Sequence, residues 1–129
     1  FFVAEGKLHT SSARNVLGGV TRATILELAD ELGIEVIEGN FTPYDVYAAD
    51  EAFICSTTPV IVPTVSLNGA SIGGADQDGA LPGPMTLRLM HAFIDRVGVD
   101  FVAQAMSHLG DNATGGLVEK WEGRLEAVG

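Results

Sequence analysis

The sequence predicts an α/β fold, on two observations. Ile25, Leu28, Ala29 and Leu32 recur at i, i+3, i+4 and i+7, and the alternating strand Ile34-Glu35-Val36-Ile37-Glu38 follows at once; a helix that hands straight on to a strand is the habit of α/β chains. A glycine-tight turn, Leu17-Gly18-Gly19-Val20-Thr21-Arg22, opens that same helix. Size and composition agree. The 129 residues suffice for one domain with a core of its own, since about 150 residues bury roughly 70% of their unfolded surface. With 47% hydrophobic and 19% charged residues the balance is globular, not disordered.

Taken in order, Phe1 to Val3, Glu5-Gly6 and Leu8-His9-Thr10 read as a β-hairpin, with Phe and Val on one side and Leu and Thr on the other. Ser11 to Val16 is polar loop. The helix over Ala23–Leu32 has Thr21 to cap its start and Gly33 to end it. After the strand Ile34–Glu38, Thr42-Pro43 supplies an N-cap and a first-turn proline for a short helix through Tyr47. Ala52 to Cys55 is a short apolar strand and Ser56-Thr57-Thr58-Pro59 a polar break. Val60 to Leu67 is a strand in which Pro63 marks a bulge or an edge. Asn68-Gly69 is a hairpin turn returning through Ala70-Ser71-Ile72.

Gly73 to Pro82 reads as a flexible surface loop. Gly83-Pro84 then starts a helix whose apolar face is Leu87, Met90, Phe93, Ile94 and Val97. A second amphipathic segment turns Phe101, Val102, Ala105, Met106 and Leu109 inward and stops at Gly110. From Asp111 the chain is glycine-rich and then charged, and Val118, Trp121 and Leu125 suit one loosely docked C-terminal helix. The expected division is therefore a domain over 1–110 and a tail over 111–129, without repeats.

A net charge of −10 with only seven Lys and Arg excludes a nucleic-acid backbone as partner, because such binding rests on neutralised phosphates. No apolar run approaches the roughly 18 residues of a membrane span, and no basic-then-apolar leader is visible. The single cysteine, Cys55, cannot form an internal disulfide and sits in the apolar run Ala52-Phe53-Ile54, where it reads as a small buried hydrophobe. A cytoplasmic protein is the expectation. His9, His91 and His108 are too scattered for a metal site, Tyr44 and Tyr47 read as packing, and Asp76 and Asp78 as a solvated loop.

The turn Leu17–Arg22 places unpaired N–H groups and the positive end of a helix dipole at one point, and its glycines let an anion approach the main chain. Ser56-Thr57-Thr58 offers a second set of hydroxyl and N–H donors. Together the two suggest a phosphate-bearing cofactor. Each also has a plainer reading: Thr21 as a helix N-cap, the hydroxyls at 56 to 58 as satisfying a strand end, Leu17 as core.

In this order the pieces resemble the class IV aminotransferases that use pyridoxal 5'-phosphate (PLP), which include branched-chain and D-amino-acid aminotransferases and aminodeoxychorismate lyase. The resemblance runs from Phe1 to about Val97. It rests on Leu17–Arg22 with Thr24–Ala29 and Leu32-Gly33-Ile34-Glu35-Val36, on Asp50-Glu51-Ala52-Phe53 with Ser56-Thr57-Thr58 and Pro63, and on Ile72-Gly73 and Gly83-Pro84-Met85-Thr86 with Arg88. It implies the C-terminal cofactor-binding domain of the D-amino-acid aminotransferase-like fold, a mixed β-sheet or pseudo-barrel flanked by helices. It also implies that the N–H groups of Val20 and Thr21, the Thr21 hydroxyl and the hydroxyl and N–H of Thr57 hold the cofactor phosphate, with Gly19 and Ser56 completing the cradle. The pyridine ring then rests on Leu17, and the N–H groups of Thr57 and Thr58 receive the substrate carboxylate.

The implied substrates are an amino acid or amine and a 2-oxo acid, in a homodimer. PLP chemistry needs a Schiff-base lysine and an acid facing the ring nitrogen, and the two lysines here, Lys7 and Lys120, match neither position. By the resemblance that lysine, the acid and a phosphate-binding arginine lie upstream of Phe1. The expectation is the C-terminal part of a longer enzyme, with no catalytic residue of its own and inactive alone. A lyase with the same cofactor, or a non-catalytic phosphate-binding module, are the alternatives. Where the family has Glu-x-Thr-Pro, this chain has Val60-Ile61-Val62-Pro63, so polar contacts there are lost or replaced. Ser56-Thr57-Thr58 leans toward the D-amino-acid branch.

Overall fold

A computed structural model describes residues 1–57, 60–73, 82–108 and 117–128, with backbone alone at 117–119 and 128. Strands β1 (Phe2–Ala4) and β2 (Lys7–Ser11) pair antiparallel with Val3 opposite Leu8. Their turn holds Glu5 and Gly6 at φ 52° and 72°, two successive left-handed residues whose twist matches the strands. Alternation sends neighbours to opposite faces. Val3 and Leu8 therefore share the main core, while Phe2 stacks on His9 at 4.8 Å on the other face. Each strand feeds both sides, which corrects the expected division of Phe and Val from Leu and Thr.

Helix α1 (Val20–Glu31) starts three residues before the expected Ala23, and its N-cap is Gly19, not Thr21. The apolar period misses this first turn because nothing in it is buried; burial begins at Ile25, with Leu28 and Ala29. At the other end Gly33 takes φ 69°, and Gly33 and Ile34 donate N–H bonds to Asp30 and Ala29 at 3.0 and 2.8 Å, the paired closure of a left-handed cap. Strand β3 (Val36–Gly39) then lies parallel to β2, Leu8 opposite Val36. Two parallel strands need a crossover, and α1 is that crossover.

Thr42 starts α2 (Pro43–Tyr47), its N–H donating to Asp45 Oδ2 at 2.7 Å. Strand β4 (Glu51–Ser56) pairs antiparallel with β1, and β5 (Val60–Pro63) with β4, giving a mixed sheet in the order β3-β2-β1-β4-β5. Pro63 thus lies in an edge strand, where a missing N–H is tolerated. The single strand expected over Val60–Leu67 is instead two: the ladder with β4 ends at Pro63, which has no N–H to donate, and after Thr64-Val65 a separate hairpin, β6 (Ser66–Leu67) and β7 (Ala70–Ser71), turns on Asn68 and Gly69 at φ 51° and 79°. Most of the expected loop 73–82 lies outside the described residues.

Helix α3 (Pro84–Val97) is joined to the sheet by one side chain. Glu51 accepts the N–H groups of Met85 and Thr86 at 3.0 and 2.8 Å, so a strand carboxylate satisfies donors that the helix leaves free. Gly83 is needed beside it, because a Cβ there would stand 2.3 Å from the Glu51 carboxyl carbon. The helix buries Thr86, Leu87, Leu89, Met90 and Phe93. Ile94 is half-buried and Val97 is 47% exposed, a correction that follows from the last turn projecting past the core toward Gly98.

Helix α4 (Phe101–Ser107) is capped by Asp100, whose Oδ1 accepts from Val102 and Ala103 at 3.0 and 2.9 Å. Phe101, Val102 and Met106 pack on the core, Ala105 is exposed, and Leu109 and Gly110 lie outside the described residues. Helix α5 (Leu117–Val128) returns Trp121 to the main core at 5% exposure, and its Nε1 donates to both Asp100 oxygens at 3.2 and 3.0 Å. That core also holds residues of α1, α3 and the sheet. On the opposite face a smaller cluster, Phe2, Ala49, Ala52 and Ile72, leaves a cavity open.

Candidate functional site

The cavity has a volume of about 810 Å³, and Leu17, Gly19, Val20, Thr21, Ser56 and Thr57 all line it. Thus six of the residues picked from the sequence, in two groups whose members Thr21 and Ser56 are 35 positions apart, meet in one place; Thr58 lies outside the described residues. Chain geometry explains the meeting. The first intrahelical bond of α1 runs from Ala23 N–H to the Gly19 carbonyl at 3.0 Å, so the N–H groups of Val20, Thr21 and Arg22 have no partner within the helix. Ser56 ends β4 beside them.

Thr21 joins the two groups, its hydroxyl donating to the Ser56 carbonyl at 3.3 Å. The N-cap reading of Thr21 therefore gives way to a bridge between helix and strand. Leu17 is 94% exposed, which removes the reading of it as core. Beyond the Ser56–Thr57 end, Val60 holds φ 57°. A β-branched residue in that region carries steric strain of order 1–2 kcal/mol, and it occupies the place where the family pattern has a polar residue.

Arg22 lines the cavity and Glu38, outside the lining, pairs with it; sequence reading left both without a role. The Arg22 guanidinium donates from Nη2 to the Ser11 carbonyl at 2.9 Å and to Glu38 Oε1 at 2.6 Å. The Arg22 side chain is 14% exposed and its Nε is buried with no partner. An arginine in the first turn of a helix beside a glycine pair is the signal that could have found it; Glu38, 16 residues on, carries none.

Neither lysine lines the cavity. Lys7 pairs with Glu35 at 3.3 Å, and Lys120 is exposed on α5. The His9 ring lies in the cavity wall, stacked on Phe2 and edge-on to Phe41, which also meet each other, with Nδ1 3.1 Å from the Lys7 carbonyl. His91 faces Asp95 at 3.2 Å. The Tyr47 hydroxyl accepts from Asn68 Nδ2 at 3.0 Å, tying α2 to the β6–β7 hairpin, while Tyr44 is exposed. Among the described residues no His, Cys, Asp and Glu cluster could hold a metal ion, and no helix is long and apolar enough to cross a membrane.

Cys55 is half-buried against the core, and burial, before any charge effect, pushes its thiol above the ordinary range. Thiolate is the nucleophile, so at about pH 8 iodoacetamide is expected to label Cys55 several-fold more slowly in the folded protein than in urea. Because the folded-state value is the raised one, the several-fold gap is full below the unfolded thiol's range of about 8.5 and closes as pH climbs past it toward the folded value. Equal rates in the two states across that range would contradict the burial.

The family model described as amino-transferase class IV matches residues 1–67. The chain is 36% identical over 97 residues to the branched-chain-amino-acid aminotransferase of Pseudomonas aeruginosa, covering 75% of this chain and 30% of that protein. Against the D-alanine aminotransferase of Listeria innocua it is 35% identical over 96 residues, covering 74% of this chain and 32% of that protein. A solved structure of the T.th. branched-chain amino acid aminotransferase with pyridoxamine 5'-phosphate superimposes with a TM-score of 0.61 at 32% identity, covering 69% of this chain and 28% of that one. The chain thus spans 30% and 32% of the length of the two relatives from Pseudomonas and Listeria. With the matched region holding both halves of the cavity's donor set up to Thr57, the chain belongs to the class IV aminotransferases.

Proposed function

We propose that the chain is the cofactor-binding C-terminal portion of a PLP-dependent aminotransferase, which moves an amino group from an amino acid or amine to a 2-oxo acid. One observation carries this reading: unpaired donors of the α1 N-terminus meet the Ser56–Thr57 strand end in a single cavity. N–H groups at the positive end of a helix, with a hydroxyl beside them, are the donor chemistry a phosphate dianion requires. A similar protein was solved with pyridoxamine 5'-phosphate, which supports the same cofactor here. When bound, PLP supplies the carbonyl that takes up the amino group and the ring that acts as electron sink.

In this reading the N–H groups of Val20 and Thr21 hold the phosphate with the hydroxyls of Thr57 and of Thr21, the single Thr21 proton turning from the Ser56 carbonyl to the anion when it binds. Gly19, without a side chain, leaves the main chain open to it, and Ser56 fixes the opposite wall. Leu17 offers an exposed apolar surface to the ring, and the N–H groups of Thr57 and Thr58 orient the substrate carboxylate. Relatives named for branched-chain and for D-alanine substrates match the chain about equally, so the substrate class stays at amino acids. The short span against those relatives, with both lysines off the cavity, supports a catalytic lysine supplied from elsewhere in a longer polypeptide. We place that enzyme in the cytoplasm, the single cysteine of these 129 residues suiting a reducing compartment, and as a homodimer by family membership.

The placement of the lysines also favours a second reading, in which the 129 residues bind phosphate esters without turning them over. Titration of the protein with PLP, followed by amide chemical shifts, tests the common part. Saturable shifts at Val20, Thr21 and Thr57 are expected, and Thr21→Val should weaken binding about ten-fold. No saturable shift at these amides would sink both readings. Borohydride reduction then separates the lysine question, since a covalent pyridoxyl adduct on Lys7 or Lys120 would contradict a lysine supplied from elsewhere.

A further inference from the structure

We infer that Arg22 is the positioning residue of the anion cradle and that Glu38 is its anchor; the inference rests on the phosphate-binding reading above. Among the described residues, little else holds the first turn of α1 in place. Residues 13–20 are all exposed. A Cβ on Gly18 or Gly19 would meet nothing within 4 Å, and the one side-chain bond described from this loop is Asn15 Nδ2 donating to Asn40 Oδ1 at 2.7 Å. Burial starts only at Ile25. Two adjacent residues compensate. Thr21 reaches to the Ser56 carbonyl at 3.3 Å, and Arg22 reaches the other way, to the Ser11 carbonyl at 2.9 Å and Glu38 at 2.6 Å.

The turn is therefore held between β4 on one side and β2 and β3 on the other. Val20, Thr21 and Arg22 are also the three residues whose N–H groups the helix leaves free, so the tie is made inside the cradle itself. Both of the Arg22 bonds leave from one nitrogen, and its buried Nε–H is left without a partner. A guanidinium that served only to pair charges would not need burial with an unmet donor. A carboxylate on β3 takes up its charge, so Arg22 acts on the anion through the main chain and not as a free cation. Precise aim matters because hydrogen bonds weaken steeply as donors turn away.

The test compares Arg22→Lys and Glu38→Gln with the parent 129-residue protein, using inorganic phosphate and PLP as probes. Backbone order parameters of Gly19 to Ala23 are read first, without ligand. Both variants are expected to lower order there while Ile25 to Ala29 keep theirs, and both to weaken phosphate and PLP about ten-fold. Lysine keeps the charge but lacks the longer, planar guanidinium that carries Nη2 to both the Ser11 carbonyl and Glu38, and glutamine removes the anchor while leaving the arginine charge intact. If Arg22 instead acts as a charge on the anion, Arg22→Lys binds like the parent and Glu38→Gln binds more tightly, which overturns the inference. Unchanged order parameters in both variants overturn it as well. Should the parent bind neither probe while the order parameters still fall, the phosphate-binding reading fails, and the positioning role fails with it, leaving Arg22 a structural tie.

Discussion

Replacing Thr21 by glutamate is expected to weaken phosphate and PLP binding by at least about 100-fold while leaving folding stability within about 1 kcal/mol of the parent. The two effects separate because the same position serves a helix and a ligand. As the second residue of α1, an acidic side chain there interacts favourably with the helix dipole, by about 0.3–1 kcal/mol. That gain offsets the lost bond from the Thr21 hydroxyl to the Ser56 carbonyl, which is of order 0.5–1.5 kcal/mol. A dianion entering the cavity meets a like charge at close range, and at about 4 Å two unit charges repel by roughly 4 kcal/mol near a protein surface. Thermal melting and a PLP titration on one preparation check both halves. A variant that melts like the parent and binds like it would move the anion away from this turn.

The second large effect concerns stability. Trp121→Ala is expected to cost about 3–5 kcal/mol and to lower the melting temperature by roughly 10–20 °C. Trp121 is 5% exposed in the same core as Leu28, Leu89 and Phe93, so truncation removes a large apolar contact area and opens a cavity. Its Nε1 also donates to both oxygens of Asp100, and Asp100 caps α4. Trp121→Phe keeps most of the packing and leaves the cap in place, so its loss should be near 1–2 kcal/mol. Calorimetry on the two variants distinguishes packing from polar anchoring. If Trp121→Ala melts within a few degrees of the parent, α5 is not part of the core in solution.

Much of the fold is legible because its signals are local. The hairpins announce themselves through Gly6 and Asn68-Gly69, whose left-handed conformations suit few other residues. Gly33 ends α1 and Thr42-Pro43 starts α2 for the same kind of reason. The misses are equally physical. The first turn of α1 is exposed, so no apolar period marks it, and spacing alone puts the start at Ala23 instead of Val20. Leu89 is wholly buried yet stands outside the apolar face drawn from spacing, because α3 meets both α1 and the sheet and buries a broader arc than one stripe.

From the order of residues alone follow the fold class, the succession of its elements and two donor-rich segments, Leu17–Arg22 and Ser56–Thr58, suited to an anion. Periodicity and turn chemistry act over a few residues, so they can be read along the chain. That those segments meet, with Thr21 and Ser56 joined across 35 positions, was settled only by packing in three dimensions. The same holds for the ties of Arg22 to Glu38, Glu51 to the start of α3, and Trp121 to Asp100. Such pairs bring together side chains and partners separated by 16 to 35 positions. A single residue's type states only that it needs a partner; the packing of the sheet and helices determines which one it finds.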